Sequence, residues 1–377
     1  MYTFVRNAAL SLLAISVPGA SALSQQYNQV NLVANTSGVA PTTDSSLVNP
    51  WGLTRGSGTP WWVADNATGV STLYTGAGTK AALTVTIPPA KAGTPGSPTG
   101  TIFNGSKTDF LLAANTPALF LFSTIDGMIV GWNPATGAVP VVKTKNHSVY
   151  TGLTSATVKG ETRLYAANFA LGRVDVYDSA FQPIHRGDEH FKGEERFDDD
   201  WLPRNYVPFN VQAIGNDIVV TYALHFDNDP HEADGPGRGF VDIFSSEGRL
   251  LQRLDHGDWL NAPWGVALAP LDFGAFSHDL LIAQFAGGGT TDSSGYIAAY
   301  DLATGRFKGL LQDASGNPLA INGIWAISPG NAPPNNFDPA GAPSGELYFT
   351  AGPNHGSGGL FGYLTAVAAD LTRGSAQ

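Results

Sequence analysis

The segment NPWGLTRGSGTPWWVADNATGVSTLYT, residues 49–75, contains three short apolar runs that are separated by turn-forming residues. Runs of this length that are rich in Trp, Val, Leu and Tyr and bounded by Gly, Pro, Asn or Asp are typical of β-strands. The same order of strand, turn, strand, Gly-containing turn and strand returns later in the chain. The segment therefore predicts one unit of a repeated β-structure.

Further copies begin at YTGLTSA (150–156), VPFNVQAI (207–214), APWGVALA (262–269) and INGIWAIS (321–328), and a less regular sixth copy covers residues 110–134. Outer fourth strands are predicted in AALTVTIP, AVPVVKT, RLLQRL and RFKGLL. A spacing of about 50 residues in an all-β chain is typical of a propeller, whereas a sandwich needs no regular repeat and β-helix coils are shorter. We predict an all-β fold, namely a six-bladed β-propeller of four-stranded antiparallel blades.

The composition supports a globular β-protein, because 43% of the 377 residues are hydrophobic and only 14% are charged. The 45 Gly and 25 Pro residues supply the turns that many short strands require. A net charge of -11 disfavours nucleic acid and anionic membranes as partners. The chain has no cysteine, which excludes disulfides, a thiol nucleophile and Cys-bound zinc.

The first 22 residues have the pattern of a secretory signal peptide. They contain one Arg, an apolar stretch over residues 8–17, and Ala20 and Ala22 in the spacing of a cleavage site. We predict a signal peptide over 1–22, a single propeller domain over 23–377, and secretion to the extracellular space. Residues 26–35 are predicted to supply an outer strand that closes the ring with the last blade. No later stretch has the ~20 apolar residues of a membrane-spanning helix.

Four Asn-x-Ser/Thr sequences would be acceptors for N-linked glycans in a eukaryotic secretory route. These predicted glycosylation sites are Asn35, Asn66, Asn104 and Asn146.

In a propeller, the residues before the innermost strand and the residues after the second strand gather at one mouth of the central channel. Amide, carboxyl and aromatic side chains at such a mouth suit a small molecule or a metal, although Asn also makes turns and Trp also packs cores. The predicted ligand-binding residues are Asn49, Trp51, Asp65, Asn168, Asn210, Trp264, Gln284 and Asn322.

The stretch ALHFDNDPHEADGPGRG, residues 223–239, connects two predicted strands of the fourth blade and combines His with carboxylates. Oxygen-rich loops bind Ca²⁺, and His is a ligand for Zn²⁺ or a proton carrier. We consider it either a solvated lid or a divalent-cation loop. Its candidate metal ligands are Asp227, Asp229, His231 and Asp234. Its candidate catalytic residues are His225 and Asp227. The spacing does not match an EF-hand, since Arg238 stands where the bidentate Glu would be.

Several motifs resemble a largely uncharacterised family of exported propellers from bacteria and fungi that is similar in architecture to NHL-repeat proteins. They include NPWGLT, WWVADNATGVSTLY, IDGMIVGWNP, LNAPWGVALAP and LYFTAGPNHGSGGLFGYL. A looser likeness is to the gluconolactonase and regucalcin propellers, which implies a divalent cation held in the channel. Asn168, Asn210 and Asn322 would imitate that ligand ring, but no Glu stands at the start of the first blade.

Three functions fit these patterns. The first is a secreted protein that binds a small molecule at the channel mouth, in an accessory role in extracellular or secondary-metabolite processes. The second is a metal-dependent hydrolase, lactonase or isomerase, in which a cation polarises a carbonyl or activates water. The third is a wall or matrix protein that binds polysaccharide.

Overall fold

A computed structural model describes residues 25–184, 197–226, 229–285, 294–330 and 345–367. The predicted signal peptide lies outside these residues. The first strands in chain order are β1 (Tyr27–Ala34), β2 (Thr42–Thr43), β3 (Pro50–Thr54), β4 (Trp61–Asp65), β5 (Val70–Tyr74), β6 (Lys80–Thr86), β7 (Pro98–Phe103), β8 (Leu111–Ala113), β9 (Thr116–Pro117), β10 (Phe120–Thr124), β11 (Met128–Asn133), β12 (Gly137–Lys143), β13 (Tyr150–Val158), β14 (Glu161–Asn168) and β15 (Arg173–Tyr177).

The later strands follow after the link between the third and fourth blades. They are β16 (Tyr206–Ile214), β17 (Asp217–Leu224), β18 (Gly239–Ser245), β19 (Leu250–Arg253), β20 (Pro263–Leu268), β21 (Leu280–Gln284), β22 (Ser294–Gly295), β23 (Ile297–Tyr300), β24 (Phe307–Leu310), β25 (Ile321–Asn322), β26 (Ile324–Pro329), β27 (Leu347–Ala351) and β28 (Leu360–Ala366). One 3-10 helix, Gly274–Phe276, lies between β20 and β21. No helix in the described part of the chain is long and apolar enough to span a bilayer.

Six antiparallel sheets form the blades of a β-propeller, as the repeat predicted. Blade I is β3-β4-β5-β6, blade II is β7-β10-β11-β12, blade III is β13-β14-β15, blade IV is β16-β17-β18-β19, and blade V is β20-β21-β23-β24. Blade VI is β26-β27-β28-β1-β2. The innermost strands β3, β7, β13, β16, β20 and β26 each contact the next one around the axis, and β26 contacts β3. The ring is therefore closed.

The N-terminal strand closes the ring, as expected from residues 26–35. β1 pairs antiparallel with β28 along nearly its whole length, from Tyr27 opposite Ala366 to Ala34 opposite Leu360. Tyr27 also packs on Phe273 of blade V and donates its hydroxyl to the Phe273 carbonyl at 2.9 Å. The first strand thus joins the last blade and touches the blade before it.

The hydrophobic core is divided into six clusters, each of which fills the space between two consecutive blades, and the one between blades VI and I also includes rings at the central axis. For example, Trp62 of blade I stacks on Phe120 of blade II at 3.9 Å between ring centroids. Tyr165 of blade III and Tyr222 of blade IV share another cluster. Face-to-face packing explains why most strands are apolar on both faces rather than alternating. The other clusters lie between blades II and III, IV and V, V and VI, and VI and I.

The structure departs from the predicted four-stranded blades at three places. Blade III has a three-stranded sheet, in which Tyr177 makes only an isolated bridge to Pro183. Blade VI has five strands, because β1 and β2 both join it. In blade II the inner strand is β7, upstream of the predicted copy, and residues 111–117 form a side hairpin of β8 and β9. PTGTIF lacks the aromatic residue that marks most other inner strands, which is why the repeat was placed too late there.

Every inner strand has a β-bulge near its start, with the first unpaired residue one residue after the start in five blades and three residues after it in blade IV. A bulge leaves a residue unpaired and turns its side chain relative to the sheet. The unpaired positions include Trp51, Thr99, Thr151, Phe209, Trp264 and Trp325. The repeated bulge therefore gives each blade one side chain at the same level of the axis.

Candidate functional site

One mouth of the channel is built by a hydrogen bond that recurs in all six blades. The residue after the second strand donates its backbone N–H to the carbonyl of the residue before the inner strand. The six pairs are Asn66 to Asn49, Ile125 to Ser97, Phe169 to Val149, His225 to Asn205, Phe285 to Ala262 and Gly352 to Gly323, at 2.8 to 3.2 Å. These bonds bring the two predicted sets of residues to one end of the axis.

Aromatic rings from four blades fill the axis at the level of the bulges. Trp51 stacks on Trp325 at 3.7 Å between centroids, and Trp264 stands edge-on to both at 6.0 and 5.7 Å. Phe209 contacts Trp51 and Trp325 at 6.3 and 6.0 Å. All four side chains are buried. Trp51 and Trp264 therefore form part of an aromatic floor, defined here as Trp51, Phe209, Trp264 and Trp325.

The polar groups of the floor form hydrogen bonds between different blades. Trp264 reaches from blade V across the axis and donates its Nε1–H to the Thr151 carbonyl of blade III at 3.0 Å. Trp325 donates to Asn49 Oδ1 at 3.0 Å, and Asn210 donates its Nδ2–H to the Trp264 carbonyl at 2.7 Å. Asn49 and Asn210 thus have structural partners in neighbouring blades. These bonds fix the indole rings in position.

The rim above the floor is mostly apolar and partly open to solvent. Ile125, Val149, Val207 and Phe285 are half-buried and pack against the floor cluster. Phe285 stacks on Trp325 at 4.1 Å between centroids. Asn66 and His225 contribute polar atoms to the same rim, and both are half-buried. The mouth is therefore an aromatic and apolar surface with a few polar groups at its edge, which is the usual chemistry of small-molecule sites.

Three predicted ligand-binding residues turn into their own blades instead of toward the axis. Asp65 accepts hydrogen bonds from the Thr72 backbone at 3.0 Å and hydroxyl at 2.7 Å. Asn168 donates to Asp175 Oδ2 at 2.7 Å and to the Ser148 hydroxyl at 2.9 Å. Gln284 accepts a hydrogen bond from the Asn261 backbone. All three are buried and stabilise the ends of second strands.

Burial also changes the ionisation of Asp65. Because the carboxyl is removed from water, its pKa is raised well above the usual value, although the Thr72 hydrogen bonds lower it. One of its oxygens, Oδ1, has no partner although it is buried. Asp65 therefore lies inside blade I, where burial disfavours its ionised form. The remaining predicted residue, Asn322, lies in β25 opposite Ser294 of β22, near the start of blade VI.

The His- and Asp-containing loop of blade IV folds against the same rim. His225 packs on Phe169 at 4.6 Å between centroids, and its Nε2 lies 2.9 Å from the Asp229 carbonyl. Asp229 Oδ1 accepts the backbone N–H of His231 at 3.0 Å, which makes a local turn. Gly235 donates to Asn261 Oδ1 at 2.8 Å, and this bond anchors the loop to blade V. The loop is therefore held in place from both sides.

Glu232 is a loop residue that the sequence reasoning did not select. It makes a bridge opposite His225, which places the two side chains side by side. Burial, together with the neighbouring Asp234 and Asp229 carboxylates, raises the pKa of Glu232 to about 7. The sequence carried no signal for this pairing, because continuing the strand register of Ala223 with Gly239 would place Gly237 opposite His225.

The predicted cation ligands do not meet in one place among the residues that the structure describes. There, no group of three His, Asp or Glu side chains is arranged to hold a metal ion. Asp229, His231 and Asp234 belong to the described part of the loop, whereas Asp227, a candidate ligand and candidate catalytic residue, lies outside it. The predicted Ca²⁺ or Zn²⁺ site remains a prediction.

Two cavities lie away from the mouth. The channel below the floor encloses about 20 Å³ and is lined by residues that include Thr101, Asn210 and Gln212. This volume suffices for about one water molecule. A larger cavity of about 830 Å³ lies at the outer side of blades II and III, where residues such as Val142, Asn146 and Val176 line it. It is next to β15, the third strand of blade III.

The comparisons with known proteins agree on the fold. No family model matches the chain. The soluble aldose sugar dehydrogenase of Escherichia coli, in its apo form, is similar with a TM-score of 0.53 and 12% identity, covering 90% of this chain and 99% of that chain. The PQQ-bound aldose sugar dehydrogenase of Streptomyces coelicolor has a TM-score of 0.51 and 12% identity, with 91% and 99% covered. At such identity these similarities show the propeller fold alone.

The sequence relatives include two proteins of Acanthamoeba polyphaga mimivirus that are named as uncharacterized. One is 28% identical over 342 residues, which cover 88% of this chain and 78% of the relative. The other is 27% identical over 342 residues, which cover 88% of this chain and 84% of the relative. The relatives found are viral, in contrast to the bacterial and fungal family that the motifs suggested.

Proposed function

We propose that this chain is an exported binding protein whose propeller mouth holds a small molecule with an apolar, planar body. The observation that carries this proposal is the half-exposed apolar rim around a buried aromatic floor. Soluble proteins rarely expose contiguous apolar surface without a use for it. Rings such as Phe285, already stacked on Trp325 at 4.1 Å, offer a planar ligand a face on which to stack.

The charged side chains on the blade IV side of the rim determine which ligand charge is favoured. Carboxylates of Asp229, Glu232 and Asp234 stand on the loop that packs against Phe169 through His225. No lysine or arginine is among the residues that form the six mouth hydrogen bonds. A ligand with an amine or another hydrogen-bond donor on one side would therefore bind better than an anionic ligand of the same shape.

Three probes that share an indole ring test this proposal by thermal shift and titration calorimetry. Tryptamine carries a positive charge, indole is neutral, and indole-3-acetate is negative. We expect affinity to fall in that order, and Phe285→Ala to weaken all three by about 10-fold, which corresponds to ~1.4 kcal/mol. Trp201→Ala, a change at a side chain that is 83% exposed on another surface, is the matched control. The proposal is contradicted if Phe285→Ala leaves the affinity for all three probes unchanged, or if none of the probes binds.

A second candidate function, a hydrolase or isomerase that moves a proton at the rim, is favoured by the pairing of His225 with Glu232. A carboxyl group with a pKa of about 7 can act as an acid or a base at neutral pH. A lactone and ester panel assayed with and without Ca²⁺ or Zn²⁺ tests it. Glu232→Gln should then abolish turnover without weakening the binding of neutral indole.

A further inference from the structure

We propose that Asn146 is the single N-glycosylation site of this protein, and that the other three Asn-x-Ser/Thr sequences remain unmodified in the folded chain. The proposal is independent of the ligand proposed for the mouth. It depends on the predicted signal peptide directing the chain into a secretory route that attaches glycans to Asn. A glycan is large and hydrated, so its attachment point must lie on the surface.

The environment of Asn104 is incompatible with a glycan. Its side chain is 7% exposed, and its Nδ2 lies within hydrogen-bond distance of the carbonyls of Ala118 at 2.8 Å, Asp109 at 3.2 Å and Ser106 at 3.4 Å. A sugar on this nitrogen would force apart residues 104–119, which cover the outer side of blade II. A chain modified here could not complete that blade.

Asn35 and Asn66 use their amides to join neighbouring segments. Asn35 accepts the Gly359 backbone N–H at 2.9 Å and donates to the Ser357 carbonyl at 3.2 Å, so it fastens the end of β1 to blade VI. Asn66 donates to the Pro98 carbonyl at 3.1 Å, which links blade I to blade II at the mouth. Both residues are half-buried. A glycan at Asn35 would replace a contact within blade VI, and a glycan at Asn66 would replace a contact between blades I and II.

Asn146 has the opposite environment. It lies in a run of three exposed residues, 145–147, that connects β12 to β13 on the mouth side. Its Oδ1 accepts the hydroxyl of Ser148, the third residue of its own sequence, at 2.6 Å. Its Nδ2 donates to no residue that the structure describes. The nitrogen is therefore available, and a substituent on it points to solvent.

The chemistry needs a lipid-linked oligosaccharide diphosphate as donor. The Asn146 Nδ2 forms a bond to C1 of the first sugar and loses one proton, while the bond from C1 to the diphosphate oxygen breaks and the lipid diphosphate leaves. Asn146 also lines the 830 Å³ cavity beside blade III. A glycan there would stand over a blade whose third strand is largely unpaired on its outer side and would shield that strand from pairing with another chain.

The test is intact mass and glycopeptide analysis of protein secreted from yeast, with residues 1–22 replaced by a host leader. We expect one glycan, removed by an endoglycosidase. Asn146→Gln and Ser148→Ala should each lose it, whereas Ser148→Thr, which preserves the acceptor sequence, should keep it. Asn35→Gln and Asn66→Gln should leave the mass difference unchanged. Secreted protein with no glycan, with more than one, or with a glycan that survives Asn146→Gln overturns the proposal.

Discussion

Asp242 of β18 is a buried carboxyl in the interface between blades III and IV. It is 2% exposed, and the Asp199 carboxylate lies close to it. Burial, and then the charge of Asp199, raise the pKa of Asp242 to about 7, while Arg253 lowers it. Asp199 itself forms an ion pair with Arg253. Burial raises the pKa of Asp199, but the hydrogen bond from Arg253 lowers it, and the net effect is a lowered pKa. One carboxyl of the neighbouring pair is thus protonated and the other is ionised at mildly acidic pH.

This arrangement predicts that stability falls as the pH rises. The folded pKa of Asp242 lies above the unfolded value of 3.8, so the folded chain holds a proton that the unfolded chain has released. Its contribution is complete below pH ~4 and is lost as the pH rises through ~7. Asp242→Asn imitates the protonated form. Relative to the wild type, we expect little change at pH 4.5 and a gain of ~2 kcal/mol at pH 8 in urea unfolding.

The control for this prediction is Asp217→Asn, since Asp217 is exposed at the start of β17. A difference between Asp242→Asn and the wild type that is the same at both pH values would show that Asp242 does not hold the extra proton.

At the scale of elements, the inner strands approach each other too closely for most side chains. Gly152 of β13 faces Asn210 of β16, and a Cβ at Gly152 would lie 2.8 Å from the Asn210 Cα. Backbone cannot move aside as a flexible side chain can. Glycine occupies the equivalent position in blades I, II and V, at Gly52, Gly100 and Gly265, where a Cβ would also meet backbone atoms.

Gly152→Ala should therefore lower the free energy of unfolding by ~2–3 kcal/mol, because the added methyl overpacks the axis. The matched control is Gly105→Ala, where a Cβ would make only an ordinary contact with Phe103 at 3.5 Å. The measurement is chemical denaturation of both variants and the wild type. Equal stability of the two variants would contradict the close approach of β13 and β16.

The N-terminal strand provides a second prediction at this scale. Val33 of β1 is fully buried and pairs with Phe361 of β28 and with Thr42 of β2. Val33→Lys would place an unpaired charge in the closing seam and should cost ~3–5 kcal/mol. Asn31→Lys, on the half-exposed part of the same strand, should change stability by less than ~0.5 kcal/mol. Thermal unfolding of both variants checks this, and a mild effect of Val33→Lys would mean that the strand is dispensable.

Most elements of the fold could be predicted because each copy of the repeat consists of short apolar runs separated by Gly-containing turns. NPW and APW mark two inner strands directly. The ring-closing strand could be predicted because an apolar segment precedes the first copy of the repeat and belongs to no copy. The inner strand of blade II was missed because PTGTIF has Thr99 where four of the other blades carry an aromatic ring. The fourth strand of blade III was expected by symmetry, and it is not found among the residues that the structure describes, which do not include 185–196.

The candidate site was harder to predict, because the sequence shows where side chains begin but not where they point. Asp65, Asn168 and Gln284 occupy the expected positions after second strands, yet each bonds within its own blade or to the segment before its inner strand. The predicted site did not include Ile125 and Val149, because it was chosen from polar and aromatic side chains. Aligning the six copies on the recurring mouth hydrogen bond would have placed both in the rim.

At the scale of the whole molecule, the core belongs to the interfaces between blades rather than to the blades themselves. Each of the six hydrophobic clusters contains side chains of two consecutive blades. Trp264 adds a direct bond across the axis to Thr151. A single blade therefore has no core that it could keep if its neighbour unfolded.

We accordingly expect the propeller to unfold in one cooperative transition. Differential scanning calorimetry should give a calorimetric enthalpy close to the van't Hoff enthalpy, despite the size of the chain. Circular dichroism and tryptophan fluorescence should report the same midpoint. Two separated transitions would mean that part of the ring stays folded after the rest has unfolded.

The pairing of β1 with β28 also has a consequence for the order in which the protein is made. The first strand leaves the ribosome early, but its partner β28 is synthesised about 330 residues later. For most of translation the growing chain therefore forms an open ring in which two blade faces are exposed. A chain shortened at its C-terminus would stay in that state permanently. Cells producing this protein would then depend on holding factors, or on rapid transport of the unfolded polypeptide, until the final strand arrives.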